Sequence, residues 1–206
     1  MISYNTVKNN ASYEFTEKRS KFIGYINPIE TENEAINFIK EIKSKHWDAK
    51  HNAYAYSIKE NSVSRFSDDG EPQGTAGMPI MKIINKNELT NVVIVVTRYF
   101  GGILLGTGGL VRCYSHAAKS ANNSSNIIKK SFCKNFKLNC SYDFYGKITS
   151  SILSHKGIIK NVNYSDSVEI IFYIESDKFN NLKNSINDIT CGNTDIIFLE
   201  ESFEIV

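Results

Sequence analysis

The chain has 206 residues, of which 41% are hydrophobic, and a net charge of +2; that is room for one large or two small domains, and too much apolar content for a disordered chain. No apolar run approaches the roughly 18 residues of a membrane span, and the polar residues 1–10 lack the core of an export signal, so a cytoplasmic protein without a membrane partner is expected. The charge is uneven, with 17 Lys and Arg against 12 Asp and Glu in residues 1–130 but 7 against 10 afterwards, and a basic front half suits an anionic partner.

Residues 13–17 and 21–29 read as strands, the second closed by Pro28. Thr31-Glu32-Asn33-Glu34 then forms a capping box, in which the Thr31 hydroxyl caps a backbone N–H and Glu34 reaches back to the Thr31 N–H. Ala35, Phe38, Ile39 and Ile42 follow at helical spacing, so this helix should run to about Lys45. Residues 52–58 are short, aromatic and strand-like. Residues 65–80 hold three of the twelve glycines and two of the three prolines, the composition of a structured loop. A helix is expected after Pro79, which suits a first helical position.

Residues 91–97 form an unbroken β-branched run, the pattern of a strand buried on both faces. It leads directly into a glycine-rich loop over residues 98–109 and then into a helix faced by Leu110, Tyr114, Ala117, Ala118 and Ala121. After the polar stretch Asn122-Asn123-Ser124-Ser125-Asn126 the remaining elements read strand, helix, two paired strands, helix, and closing strands at 194–199 and 203–206. Gly157 and Gly192 are expected to end the two helices. The order βαββαβ is ferredoxin-like. The expected fold class is therefore α+β, with domains at 1–123 and 131–206.

Three groups of residues could carry chemistry. The first is the glycine loop, where Gly101, Gly102, Gly106, Gly108 and Gly109 put five glycines into nine residues. Such a loop opening a helix aims backbone N–H groups outward and makes an anion site. Arg98 and Tyr99 at the end of the strand, and Arg112 in the expected first turn of the helix, would flank a phosphate. The alternative is a tight turn without a ligand, with Arg98 or Arg112 paired to an acidic side chain. No Gly-Lys-Ser/Thr ends the loop, so it is no Walker A. The second group is Asp68-Asp69-Gly70-Glu71, whose carboxylates either hold Mg²⁺ or cap local N–H groups. The third comprises His46, His51, His116 and His155, of which two or three could meet in space, although a lone histidine is more often structural. Cys113, Cys133, Cys140 and Cys191 contain no C-x-x-C pair and read as free thiols. No catalytic residue, metal ligand or cofactor is assigned.

The string Ser67-Asp68-Asp69-Gly70-Glu71-Pro72-Gln73-Gly74-Thr75-Ala76-Gly77, then Val95-Val96-Thr97-Arg98-Tyr99-Phe100-Gly101-Gly102 and Leu105-Gly106-Thr107-Gly108-Gly109-Leu110-Val111-Arg112, resembles the signature of the IMPACT/YigZ family. Lys18-Arg19-Ser20-Lys21-Phe22-Ile23 and His51-Asn52-Ala53-Tyr54-Ala55-Tyr56 match it too. The resemblance covers about residues 10–120. It implies an N-terminal domain of the ribosomal-S5-domain-2-like fold and a second domain like the last domain of elongation factor G. Both are ribosome-contacting folds. Ala53 stands where a Cys is common, and Met78 where a basic residue is common. The expected function is a non-enzymatic binder of RNA or the ribosome, linked to translation or its regulation. The alternatives are a Mg²⁺-dependent phosphate-handling enzyme using Asp68, Asp69 and Glu71, and a protein-interaction module. Oligomeric state is not legible.

Overall fold

The computed structural model describes residues 3–59 and 62–206, so two residues of the polar opening stretch and positions 60–61 lie outside the described residues. Two compact units divide the chain, one over residues 4–128 and the other over 129–206 together with Ser3. Among the described residues, no helix is long and apolar enough to cross a membrane.

The first unit holds β1 (Ser3–Val7), β2 (Ala11–Glu17), β3 (Ser20–Pro28), α1 (Glu32–Lys45), β4 (His51–Ile58), β5 (Val63–Ser67), α2 (Gly77–Lys86), β6 (Val92–Tyr99) and α3 (Gly106–Asn123). Its main sheet runs β2-β3-β6-β4-β5, with every neighbour antiparallel. The uninterrupted apolar run lies at its centre as β6. Val93 and Val95 point into one core with Ile39 and Ile42 of α1. Val92, Ile94 and Val96 point into the other, with Ile80 and Ile84 of α2 and Tyr114 and Ala117 of α3. A strand covered on both faces has no polar side to present, which is why the run is continuous rather than alternating.

The capping box forms in part. Thr31 Oγ1 accepts from the Glu34 N–H at 3.2 Å, but the Glu34 carboxylate accepts from the N–H of Glu30 instead of Thr31. α2 begins at Gly77, two residues before Pro79, because the cap comes from outside the helix: Asp68 accepts from the Ala76 and Gly77 N–H groups. β1 and β5 are strands that the pattern does not announce. Their sequences, SYNTV and VSRFS, are short and largely polar. β1 is held by a bridge from Asn5 to Leu89 and by the Thr90 N–H on the Asn5 carbonyl.

The polar stretch at 122–126 is structured. α3 continues to Asn123, Asn122 is buried, and the Ser124 and Ser125 hydroxyls return to the Ser120 and Asn122 carbonyls. The second unit follows as β7 (Ile127–Cys140), α4 (Tyr142–Ser154), β8 (Ile158–Tyr164), β9 (Val168–Glu175), α5 (Phe179–Thr190) and β10 (Ile196–Ile205). Its strands lie β10-β7-β9-β8, all antiparallel, which is the ferredoxin-like order. Ile148 and Ile152 of α4 and Leu182 and Ile186 of α5 cover one core with Phe136, Leu138, Ile170 and Phe172. The two closing strands expected here are one, interrupted by a register shift between Phe198 and Glu200. At the end of α4 the left-handed position belongs to Lys156 (φ 61°) rather than Gly157. Gly157 is needed for space, since a Cβ there would stand 2.8 Å from Ile152 Cγ2. Cys113, Cys133 and Cys140 are buried and Cys191 is exposed, all four as free thiols.

Candidate functional site

The loop between β5 and α2 is organised by its own carboxylates. Asp68 accepts backbone N–H groups from Gly74 (2.8 Å), Ala76 (2.9 Å) and Gly77 (2.8 Å). Burial alone would raise its pKa, but these three donors outweigh it and hold the carboxyl below its usual range. Asp69 turns the other way, to the Asn52 N–H and the Lys43 ammonium, both at 2.6 Å. Its φ is +47°, followed by Gly70 at +85° and Gly74 at +75°. Thr75 is buried and donates to the Pro72 carbonyl at 2.6 Å, while Gln73 is exposed. Glu71 points inward. The three carboxylates thus have three separate sets of partners and do not converge, so the structure gives the Mg²⁺ reading no ligand set. Among the described residues, no cluster of His, Cys, Asp and Glu is arranged to hold a metal.

Arg98 stands near the end of β6, opposite Phe22 and His51 in the register. It is 5% exposed. Its guanidinium lies over the rings of Phe22 (5.5 Å) and Phe100 (5.4 Å). Nη1 donates to Glu71 Oε1 at 2.7 Å, and the Tyr114 hydroxyl donates to the same oxygen at 2.8 Å. Arg98 Nε is buried without a hydrogen-bond partner among the described residues. His51 Nδ1 donates to the Asp69 carbonyl at 2.8 Å, leaving Nε2 3.9 Å from Glu71 Oε1. The sequence alternative in which Arg98 pairs with an acid of the signature loop is therefore the observed one. The Tyr99 hydroxyl goes elsewhere, to His46 Nδ1 at 2.8 Å and Asp48 at 3.1 Å. The four histidines do not meet: His116 packs edge-on against Phe15, and His155 caps α4 through the Ser151 carbonyl.

Gly106 is the first residue of α3, so the last three glycines of the loop belong to a helical turn. Arg112 is the seventh residue and lies in the second turn, not the first. The first turn carries no acidic residue and Leu105 gives it no side-chain cap. Gly102 and Gly106 need positive φ (81° and 70°). Gly101 has another cause, because the Arg19 carbonyl carbon and oxygen would stand 2.0 Å from a Cβ. Gly108 has neither reason: its φ is not positive and a Cβ would meet nothing within 4 Å. A helical glycine costs about 1 kcal/mol relative to alanine, and the fold does not account for it here.

Two grooves flank this turn and share Leu105. The first, about 400 Å³, is lined by Phe15, Glu17, Lys18, Gly109, Arg112 and His116. The second, about 410 Å³, is lined by Lys50, Glu71, Arg98, Phe100, Gly106 and Thr107 among others. Arg98 and Arg112 therefore line different grooves, and Arg98 is paired with Glu71. Lys18 lines the first groove with Arg19 next to it, and the sequence reading placed neither at the candidate site. They fill the two-residue β2–β3 turn, with Glu17 paired to Ser20. Both have left-handed backbones, φ 45° and 63°, and both side chains are exposed. The signal was the tight spacing of two strands around a basic pair.

The Impact N-terminal domain model matches residues 18–122, just over half of the chain, and a domain of unknown function, DUF1949, matches 138–193. The IMPACT family member YvyE of Bacillus subtilis is 37% identical over 195 residues, covering 94% of this chain and 90% of that protein. Protein IMPACT of Rattus norvegicus is 30% identical over 57% of this chain, which is 36% of its own length. A crystal structure titled as a hypothetical protein superposes with a TM-score of 0.63 at 28% identity, over 98% of this chain and all of that one.

Proposed function

The chain belongs to the IMPACT family, and on that premise we propose that it is a non-enzymatic RNA- or ribosome-binding protein linked to translation, which holds phosphates along the basic rim around the first two turns of α3. Lys18 and Arg19 at the hairpin tip, the uncapped N–H groups of Gly106, Thr107 and Gly108, and Arg112 compose that rim. The observation that carries the reading is the Lys18–Arg19 turn. Two-residue hairpins with positive φ at both positions favour Asn-Gly. A non-glycine residue held there costs roughly 1 kcal/mol or more, so the basic pair is kept at the expense of stability. Among the described residues, neither Lys18, Arg19 nor Arg112 has a salt-bridge partner. Phosphates would supply the missing anions.

Fluorescence anisotropy with a labelled single-stranded RNA across a salt series tests this. Wild type should bind with a negative slope of log affinity against log salt. Lys18→Ala and Arg112→Ala should each reduce that slope by about one unit while the melting temperature holds. Binding that ignores salt, or that both variants leave intact, refutes the proposal.

A further inference from the structure

The second groove has a chemistry that the basic rim does not use. Its walls are apolar, built from Pro72, Phe100, Leu104, Leu105 and Leu110, and its volume of about 410 Å³ is that of a small-ligand site. Its one acid is Glu71, already paired with Arg98. Lys50 and the uncapped start of α3 leave an excess of positive character at the mouth. An occupant must therefore be part apolar and part anionic. Arg98, which lines the groove, has a buried Nε–H without a hydrogen-bond partner among the described residues, and the Arg98 and Tyr114 hydrogen bonds to the Glu71 carboxylate both fall on Oε1. An unmet donor beside an acceptor with spare capacity matches the mixed donor–acceptor edge of a nucleobase. An unsatisfied buried donor destabilises the fold, and a base edge would relieve it.

Resting on the RNA-binding reading, we infer that this groove takes one unstacked nucleotide of the bound strand. Its phosphate lies at Gly106 and Thr107 beside Lys50. Its base packs against Phe100 and Leu105, with its polar edge toward the Glu71–Arg98 pair. Gly108 keeps the adjoining surface of the turn clear for the sugar–phosphate chain.

The full chain, labelled with ¹⁵N, is titrated with each of the four nucleoside 5′-monophosphates and separately with inorganic phosphate. At least one nucleotide should bind tenfold or more tightly than phosphate and shift the amides of residues 106–108 and the Arg98 Nε–H signal. Thr107→Glu places a carboxylate where the phosphate would lie, yet suits the positive end of the helix. It should weaken nucleotide binding tenfold or more without lowering the melting temperature, and Phe100→Ser should weaken it similarly. Nucleotides that bind no better than phosphate, or that ignore both variants, overturn the inference. Salt-dependent RNA binding that needs Lys18 and Arg112 but occurs without those shifts overturns it and leaves the RNA-binding reading standing. RNA that does not bind at all overturns that reading as well.

Discussion

Asp68 satisfies three backbone donors that would otherwise be left open at the turn and at the start of α2. Asparagine keeps one carbonyl oxygen but sets an NH₂ group against a backbone N–H. Asp68→Asn should cost about 1–3 kcal/mol, read as a lowered melting temperature. Its carboxyl has a depressed pKa, so its stabilisation is complete above the unfolded value of 3.8 and is lost as pH falls through the lower folded value. His46 acts in a nearer range. Asp48 accepts from the Tyr99 hydroxyl, so Tyr99 accepts from His46 Nδ1–H, and the Tyr25 hydroxyl donates to Nε2 at 2.7 Å. This arrangement needs a neutral ring. Burial, then Lys45, push the His46 pKa below 6.5. The unfolded state therefore takes up a proton first, and the His46 contribution is complete above about 6.5 and erodes as pH falls below it. Thermal unfolding between pH 7 and 5 should show this slope, and His46→Gln should flatten it. Residue identities announced the carboxylate loop but not its wiring: Asp68, Asp69 and Glu71 lie within four positions, yet their partners come from α2, α1 and β4, and β6 and α3.

Elements with strong periodicity were legible. β6 and α1 follow from their apolar spacing because packing on two faces, or on one stripe, leaves a direct trace. The start of α3 was not legible, because a glycine run reads the same in a loop and in a first turn; Arg112 was therefore placed one turn too early. The β2–β3 turn offers the clearest element-level experiment. Replacing Lys18-Arg19 with Asn-Gly suits the positive φ values and should raise stability by about 1–2 kcal/mol, while RNA affinity falls. Denaturant unfolding and anisotropy on the same variant measure both. A loss of stability would mean that the basic pair also supports the fold. Arg98→Ala differs in kind. It strands Glu71 inside the protein and should cost about 3–5 kcal/mol, so it reports on folding before binding. Calorimetry should show the lowered transition.

At the scale of the molecule, each unit carries its own core, one around β6 and one around Phe136, Leu138 and Phe172. A fragment of residues 129–206 should unfold cooperatively and fail to bind RNA, while full-length binding should depend on the basic first unit. Circular dichroism melting and anisotropy on the fragment check both. The polarity of residues 122–126 marks them as solvated but does not report their hydrogen bonding, which ties them into the end of α3. The central position of β6 also sets an order of events during synthesis. Its neighbours β3 and β4 are made first, each joined to an outer strand as a hairpin, β2–β3 and β4–β5. Until residues 92–99 emerge, both hairpins have an inner edge with nothing to pair with, the condition that invites sticking to other chains. A pause in elongation before residue 99 would prolong that state, and a pause after it would not. The yield of soluble protein should therefore respond to codon choice ahead of β6 far more than behind it.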